Sequence, residues 1–410
     1  MFTEVQEAPS STGAAGLLTA AVRVGARRLV LTDFRNYREA RLTLGSEPVV
    51  LTGVNGAGKT NLLEALSFLA PGRGLRGARL GDVDRRTPGA EAPAEDAVAR
   101  AWAVAAIVET RRGPVRIGTG RDGSLPGSSR GKAQSERRIV RIDGEPVRGQ
   151  AALGERLAIL WLTPAMDRLF IEGPAGRRRF LDRLVLGLDP EHASRLAAYE
   201  QAARERARLL RDGPADSAWL TALEGVMAAH GVAVAAARRE LVCRLDEACA
   251  QGEGPFPRAR LVLLGAVEDW LATMPALAAE EKLVRALAAS RHRDALLGGA
   301  GIGPHRSDLA VSLRDKGIPA ELASTGEQKA LLISILLADA SLLCALRGEA
   351  PLLLLDEVAA HLDPGRRAAL FEALLAQGGQ TWLTGTEPAL FAPLRPSAQF
   401  LSVRDGAIAS

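Results

Sequence analysis

The chain has 410 residues, 47% hydrophobic and 24% charged, a balance that excludes a disordered or fibrous protein and allows two or three domains with cores of their own. A formal net charge of +4 and a pI near 9.2 permit a polyanionic partner without requiring one. The apolar stretches read as too short for a membrane span and the first residues carry Glu4 and Glu7 in place of a basic leader, which predicts a cytoplasmic protein with no membrane contact.

Residues 1–25, rich in small side chains and without period, are expected as a disordered extension. A strand is expected over Arg28 to Asp33 and its partner over Arg41 to Leu44, with Phe34, Arg35, Asn36 and Tyr37 forming a polar turn held by aromatic anchors. Val49, Val50 and Leu51 then lead into Gly53-Val54-Asn55-Gly56-Ala57-Gly58-Lys59-Thr60, the pattern G-x-x-x-x-G-K-[ST], and a helix follows from Asn61 to Ala70. Strand, glycine loop and helix in this order make a phosphate cradle. The glycines let backbone N–H groups turn inward, and the helix adds its positive end. Lys59 is placed to reach the β- and γ-phosphates, and the Thr60 hydroxyl is suited to Mg²⁺.

Between Pro71 and Arg79 stand Arg73, Arg76 and Arg79, spaced for phosphate or DNA contact or simply for a solvated loop. Strands are expected over Ala97 to Val108, Val115 to Thr119 and Arg138 to Ile142, the last ending in an Asp143-Gly144 hairpin turn, with Arg121 to Glu136 as a flexible tip. Arg177, Arg178 and Arg179 open a helix, where the helix dipole disfavours cations, so either an anionic partner or a surface turn accounts for them. From Asp189 to about Ala289 the chain reads as helical. Leu220, Met227, Val234 and Leu241 recur every seventh residue, with Leu223, His230 and Ala237 between them, so His230 is expected as a packed core histidine. The odd cysteines Cys243, Cys249 and Cys344 lack C-x-x-C spacing and are expected as buried, reduced thiols with no metal.

Near the C-terminus, Leu352 to Leu355 form an apolar strand ending in Asp356 and Glu357. Placed beside the loop-bearing strand, with neighbouring side chains pointing to opposite sides, Asp356 would hold Mg²⁺ through water while Glu357 polarises the attacking water. Ser324, Thr325, Gly326, Glu327, Gln328 and Lys329 precede an apolar helix from Ala330 to Leu346 and resemble the signature of ABC-type ATPases. That likeness implies that Ser324 and Gly326 bind the γ-phosphate held by a second subunit. Ala360-His361-Leu362-Asp363 matches the short loop that crosses the dimer interface in such proteins.

These motifs, with Arg177 to Asp182 and Gly303-Pro304-His305-Arg306-Ser307-Asp308-Leu309, resemble the RecF family of bacterial recombination-repair proteins from Leu29 onward. The resemblance implies an α/β fold: an ABC/SMC-type P-loop ATPase head, from 26–185 and 299–410, with an inserted, mainly helical arm domain at 186–298. It further implies ATP and Mg²⁺ as cofactors, an ATP-dependent homodimer, DNA binding, and work with RecO and RecR in loading RecA at gaps. Arg35 and Asn36 are carried over as nucleotide-phosphate contacts. Three departures stand out: no Q-loop glutamine near Thr163 to Asp167, no switch histidine at Thr384 to Glu387, and Ser307 where the family commonly has an acid. The alternatives are the motor subunit of a membrane transporter, and a nucleotide-gated scaffold with incidental turnover.

Overall fold

The computed structural model describes residues 23–85, 101–121, 138–213, 216–252 and 254–409. The expected disordered extension lies almost wholly outside them, as do residues 86–100, where the expected strand from Ala97 begins, and all of the expected flexible tip but Arg121.

Four short runs, Ile159–Leu162, Leu352–Leu355, Thr381–Gly385 and Val49–Thr52, are buried at every position, as parallel strands covered on both faces must be. They align side by side in that order, and Gln399–Arg404 and Ala407–Ala409 extend the sheet beyond Val49–Thr52. The strand carrying Asp356 is therefore not beside the loop-bearing strand. Thr381–Gly385 lies between them, pairing in parallel with both. Alternate side chains divide between two cores: Val49, Leu51, Leu352, Leu354 and Trp382 face one, and Val50, Leu353, Leu355 and Leu383 the other.

Over the first face packs the helix Lys59–Ser67 and an antiparallel sheet that opens with Gly25–Phe34, Tyr37–Thr43, Ala103–Thr110 and Gly113–Arg121. These strands alternate buried and exposed residues, since one side meets water. The first two pair from Arg28 with Thr43 to Phe34 with Tyr37, which shortens the expected turn to Arg35 and Asn36. Phe34 and Tyr37 are both fully buried. Phe34 meets Phe68 and Trp102 edge-on, with ring centroids 5.9 Å and 5.6 Å apart, which fixes this sheet against the end of the helix Lys59–Ser67.

Over the second face lie Pro174–Leu188 and the helix Thr325–Arg347. By length and composition this last helix and Ser217–Ala250 are apolar enough to cross a membrane, contrary to expectation. Their apolar side chains are instead spent on packing, Leu331, Ile335 and Leu343 of one and Leu241 and Leu245 of the other lying in the same core.

The helices His192–Arg211, Ser217–Ala250 and Ala276–Leu297 form a third core around Tyr199, Met227, Val232, Leu283 and Leu287. It contains a satisfied ionic knot, in which the buried Arg206 donates to Glu224, Asp294 and the Leu287 carbonyl at 2.7 to 2.9 Å. Leu220, Met227, Val234 and Leu241 are all buried, as the seven-residue period requires. His230 is only half-buried and so is not the core histidine expected, because it sits at the edge of that stripe. Of the cysteines, Cys249 is buried, Cys344 half-buried and Cys243 exposed, against the expectation for all three. Ala259–Leu264 pairs antiparallel with Asp308–Leu313, so this small sheet joins residues on either side of the expected end of the arm.

Candidate functional site

The strand Val49–Thr52 ends at Gly53, whose φ of 153° favours glycine. A Cβ there would lie 2.2 Å from the Val403 carbonyl oxygen, so the loop is seated on the C-terminal strand. Gly58, at φ 116°, starts the helix, and a Cβ on it would meet Asn36 at 2.5 Å and the Tyr37 hydroxyl at 2.7 Å. No side chain caps this helix, which leaves its first N–H groups for an anion. Asn55 and Gly56 are exposed at the loop's crest, and Ala57 is buried beneath it. The buried Lys59 ammonium donates to the Gly53 and Val54 carbonyls at 2.7 and 3.0 Å, folded back across its own loop. Burial lowers its pKa, and the charges of Glu357 and Asp356 oppose that shift.

The Thr60 hydroxyl stands 3.0 Å from each Asp356 oxygen. Thr384 donates to the same carboxylate at 2.7 Å and accepts the Glu357 N–H at 2.9 Å. Burial raises the Asp356 pKa, and the two threonine hydrogen bonds oppose it. A buried carboxylate held by two hydroxyls, with no ion pair to it among the described residues, beside a phosphate loop, fits a hard metal ion. Among the described residues no group of three or more His, Cys, Asp or Glu side chains is placed to hold a metal ion, so the oxygens that could hold one here are those of Thr60 and Asp356, with phosphate and water to complete its shell. Glu357, like Asp356, lies beyond the end of the strand at Leu355. Its left-handed backbone, φ 53° and ψ 24°, turns it out of line with Asp356, so a backbone twist and not the pleat separates the two acids. Thr384 is missed by motif reasoning, which sees there only the absence of a histidine.

Arg35 also has φ 55°. Its guanidinium grips the fully buried Glu64 through two bonds of 2.8 and 2.7 Å and donates to the Asp82 carbonyl at 2.6 Å. Arg76 donates to Glu64 and to Asn61, both at 2.7 Å, Asn61 to Asn36 at 2.7 Å, and Asn36 to the Ala57 carbonyl at 3.2 Å. Arg35, expected as a phosphate contact, braces the loop from Glu64, whose carboxylate matches both arms of its fork. Arg35, Asn36 and Asn61 line a cavity of about 310 Å³ beside the loop.

Ser324 is the N-cap of Thr325–Arg347 in a reciprocal capping box with Glu327. Bonds from Lys316 and from the Ser324 amide and hydroxyl hold the Glu327 carboxyl down at about 2. Ser324 and Gly326 remain exposed. Asp363 caps Pro364–Ala376 by accepting the Arg366 N–H at 2.9 Å, and it too is exposed.

The arginine triplet is mostly spent on structure. Arg177 pairs with Asp308 at 2.7 and 2.8 Å, and Arg178 donates to the Ser307 carbonyl at 2.7 Å. Arg179 alone of the three is exposed. Asp182, in the same helix, receives Arg238 at 2.7 and 2.8 Å and His192 at 2.8 Å. Arg238 also donates to the Pro304 carbonyl at 2.6 Å, tying the long arm helix to that loop. Buried Ser307 donates to Glu268 at 2.5 Å. An acid at 307 would face that buried carboxylate, so the arm supplies the negative charge that the sequence lacks there.

A parallel sheet that brings a glycine loop, a buried aspartate and a following glutamate to one end defines the P-loop ATPases. Family models described as "AAA domain" and "AAA domain, putative AbiEii toxin, Type IV TA system" match residues 28–91 and 253–384. The chain is 48% identical to the DNA replication and repair protein RecF of Rhizobium meliloti (strain 1021), over 93% of this chain and 97% of that one. To the protein of the same description from Mesorhizobium japonicum it is 49% identical, over 93% and 96%. The chain belongs to the RecF family. It is an ATPase of DNA replication and repair, which sets aside the transporter alternative. Solved structures of the recombination mediator protein RecF-ATP and RecF-ATPrS in the RecFOR pathway share the fold, each with a TM-score of 0.77 at 20% and 19% identity, covering 96% and 95% of this chain and 99% and 98% of those.

Proposed function

We propose that two copies of this chain close on two ATP molecules, hold DNA while closed, and release it on hydrolysis, acting in the cytoplasm with RecO and RecR to load RecA at gaps. The observation that carries the reading is the meeting of Lys59, Thr60, Asp356 and Glu357 at one end of the parallel sheet. In this reading Lys59 leaves its loop carbonyls for phosphate oxygens, and the loop amides of Asn55 to Thr60 bind the same anion. Thr60 and Asp356 hold Mg²⁺, which when bound neutralises phosphate charge. Glu357 takes a proton from the attacking water, and Thr384 keeps it in place through its N–H. Ser324 and Gly326 of each copy, with Asp363, complete the site of the other. Arg35 and Asn36 brace the loop from the side.

The test is Glu357→Gln, which keeps size but removes the proton acceptor. Turnover should fall about 10²- to 10⁴-fold while ATP still binds, and an ATP-bound dimer should accumulate and hold DNA longer. Parental turnover, or loss of dimerisation together with turnover, refutes the role.

A further inference from the structure

A concavity lined by arginines lies at the far end of the helix that begins at Ser324. Thr325–Arg347 has its exposed Ser324 end at the signature and is roughly 33 Å long at 1.5 Å per residue. Its far end, Arg347, meets the turn between Ala103–Thr110 and Gly113–Arg121 and the end of Ala151–Arg156. The cavity there measures about 520 Å³, and Arg111, Arg112, Arg156 and Arg347 line it with Glu155 and Glu349.

The four arginines are not equivalent. Arg347 donates to the Gly187 carbonyl at 2.9 Å and the Glu155 carbonyl at 3.3 Å. Arg111 donates to the Gly348 carbonyl at 2.9 Å, and its N–H reaches Glu349 at 3.3 Å. These contacts satisfy carbonyls at the C-terminal ends of three helices, and that of Arg111 pins the hairpin to the head. No acceptor among the described residues lies within bonding distance of the Arg112 or Arg156 guanidinium, and both residues are exposed. The hairpin turn is rigid: Thr110 pairs with Gly113, its hydroxyl donates to the Gly113 carbonyl at 2.8 Å and accepts the Arg112 N–H at 3.2 Å. Burial lowers the Arg347 pKa, Glu349 opposes that, and the charge of Arg112 lowers it further. Like charges are thus held together by a stiff frame, at a cost that a bound anion relieves.

We infer that this cavity is a phosphate-binding site separate from the phosphate loop, in which Arg112 and Arg156 grip the ligand and Arg111 and Arg347 set the frame. Guanidinium forks match the paired oxygens of phosphate. The phosphates come either from a nucleic-acid backbone or from a free polyphosphate.

The test uses the full chain carrying Lys59→Ala, so that the phosphate loop does not contribute, with and without Arg112→Ala and Arg156→Ala together. Pyrophosphate is titrated by calorimetry and a labelled duplex by anisotropy, and an unchanged unfolding midpoint checks the fold. Loss of pyrophosphate affinity by at least about tenfold with duplex affinity unchanged identifies a free polyphosphate. Weaker duplex binding with a salt slope smaller by about 1.8, two contacts at about 0.9 each, identifies a nucleic-acid backbone. Parental affinity for both ligands in the double variant overturns the inference, as does an oligoglutamate peptide that displaces pyrophosphate and binds more tightly.

Discussion

Asp339 shows what burial does to a single carboxyl. It lies fully buried on the helix Thr325–Arg347, neither carboxyl oxygen has a hydrogen-bond partner among the described residues, and burial pushes its pKa up to about 8. Its electrostatic neighbour is Arg183, whose guanidinium is stacked 4.7 Å from the Trp161 ring and pulled down to about 9 by burial. In the unfolded chain the carboxyl ionises near pH 3.8. Below that value both states are protonated and Asp339 has no pH effect. Between it and about pH 8 the folded state holds a proton that the unfolded state has released, so stability falls as pH rises, by at most about 1.4 kcal/mol per unit. Asp339→Asn should flatten this slope, and urea midpoints from pH 4 to 8 measure it. Equal slopes in the two proteins would show that Arg183 keeps Asp339 ionised. Nothing in the sequence marks this residue, because one aspartate in an apolar helix looks the same whether it faces water or core.

Single elements here carry two loads. Ser324 caps its helix and also stands exposed at the signature. Ser324→Ala should lower stability by about 1 kcal/mol through the lost cap. Ser324→Asn keeps a good cap, so stability should hold within about 0.5 kcal/mol while the larger amide hinders a partner's phosphate and weakens the ATP-dependent dimer. Urea midpoints and sedimentation with ATP separate the two effects, and a parental dimer in Ser324→Asn would end the proposed role across the interface. The phosphate loop was legible because its chemistry is local: eight consecutive residues suffice. Glu64 was not, since its partners Arg35 and Arg76 are distant in the chain and only folding brings them to one carboxylate. Thr384 was hidden for a topological reason. Its contact with Asp356 exists only because its strand inserts between two others.

At the scale of the molecule, the net charge of +4 is mild for a protein that meets DNA. With Arg177 and Arg178 committed internally, exposed side chains such as Arg179 are the candidates for phosphate contact. Affinity should therefore fall with salt and vary little with base sequence. Arg179→Ala should reduce the slope of log K against log salt by about 0.9 if it touches one phosphate. Arg177→Ala should instead destabilise the fold by leaving Asp308 unpaired. Anisotropy titrations over a salt series decide this, and an unchanged slope removes Arg179 from the DNA surface.

The seat of the phosphate loop has a consequence for synthesis. Gly53 rests on Val403, and Gly406 donates its N–H to the Ala57 carbonyl at 3.2 Å. Both neighbours of the strand Val49–Thr52 in its sheet come from beyond residue 380. At the usual 5 to 20 residues per second, the ribosome needs roughly 20 to 70 s to make the intervening chain. Through that interval the nascent loop has no floor and its strand no neighbours, and the strand must be shielded from other chains until the last segment emerges to complete the sheet.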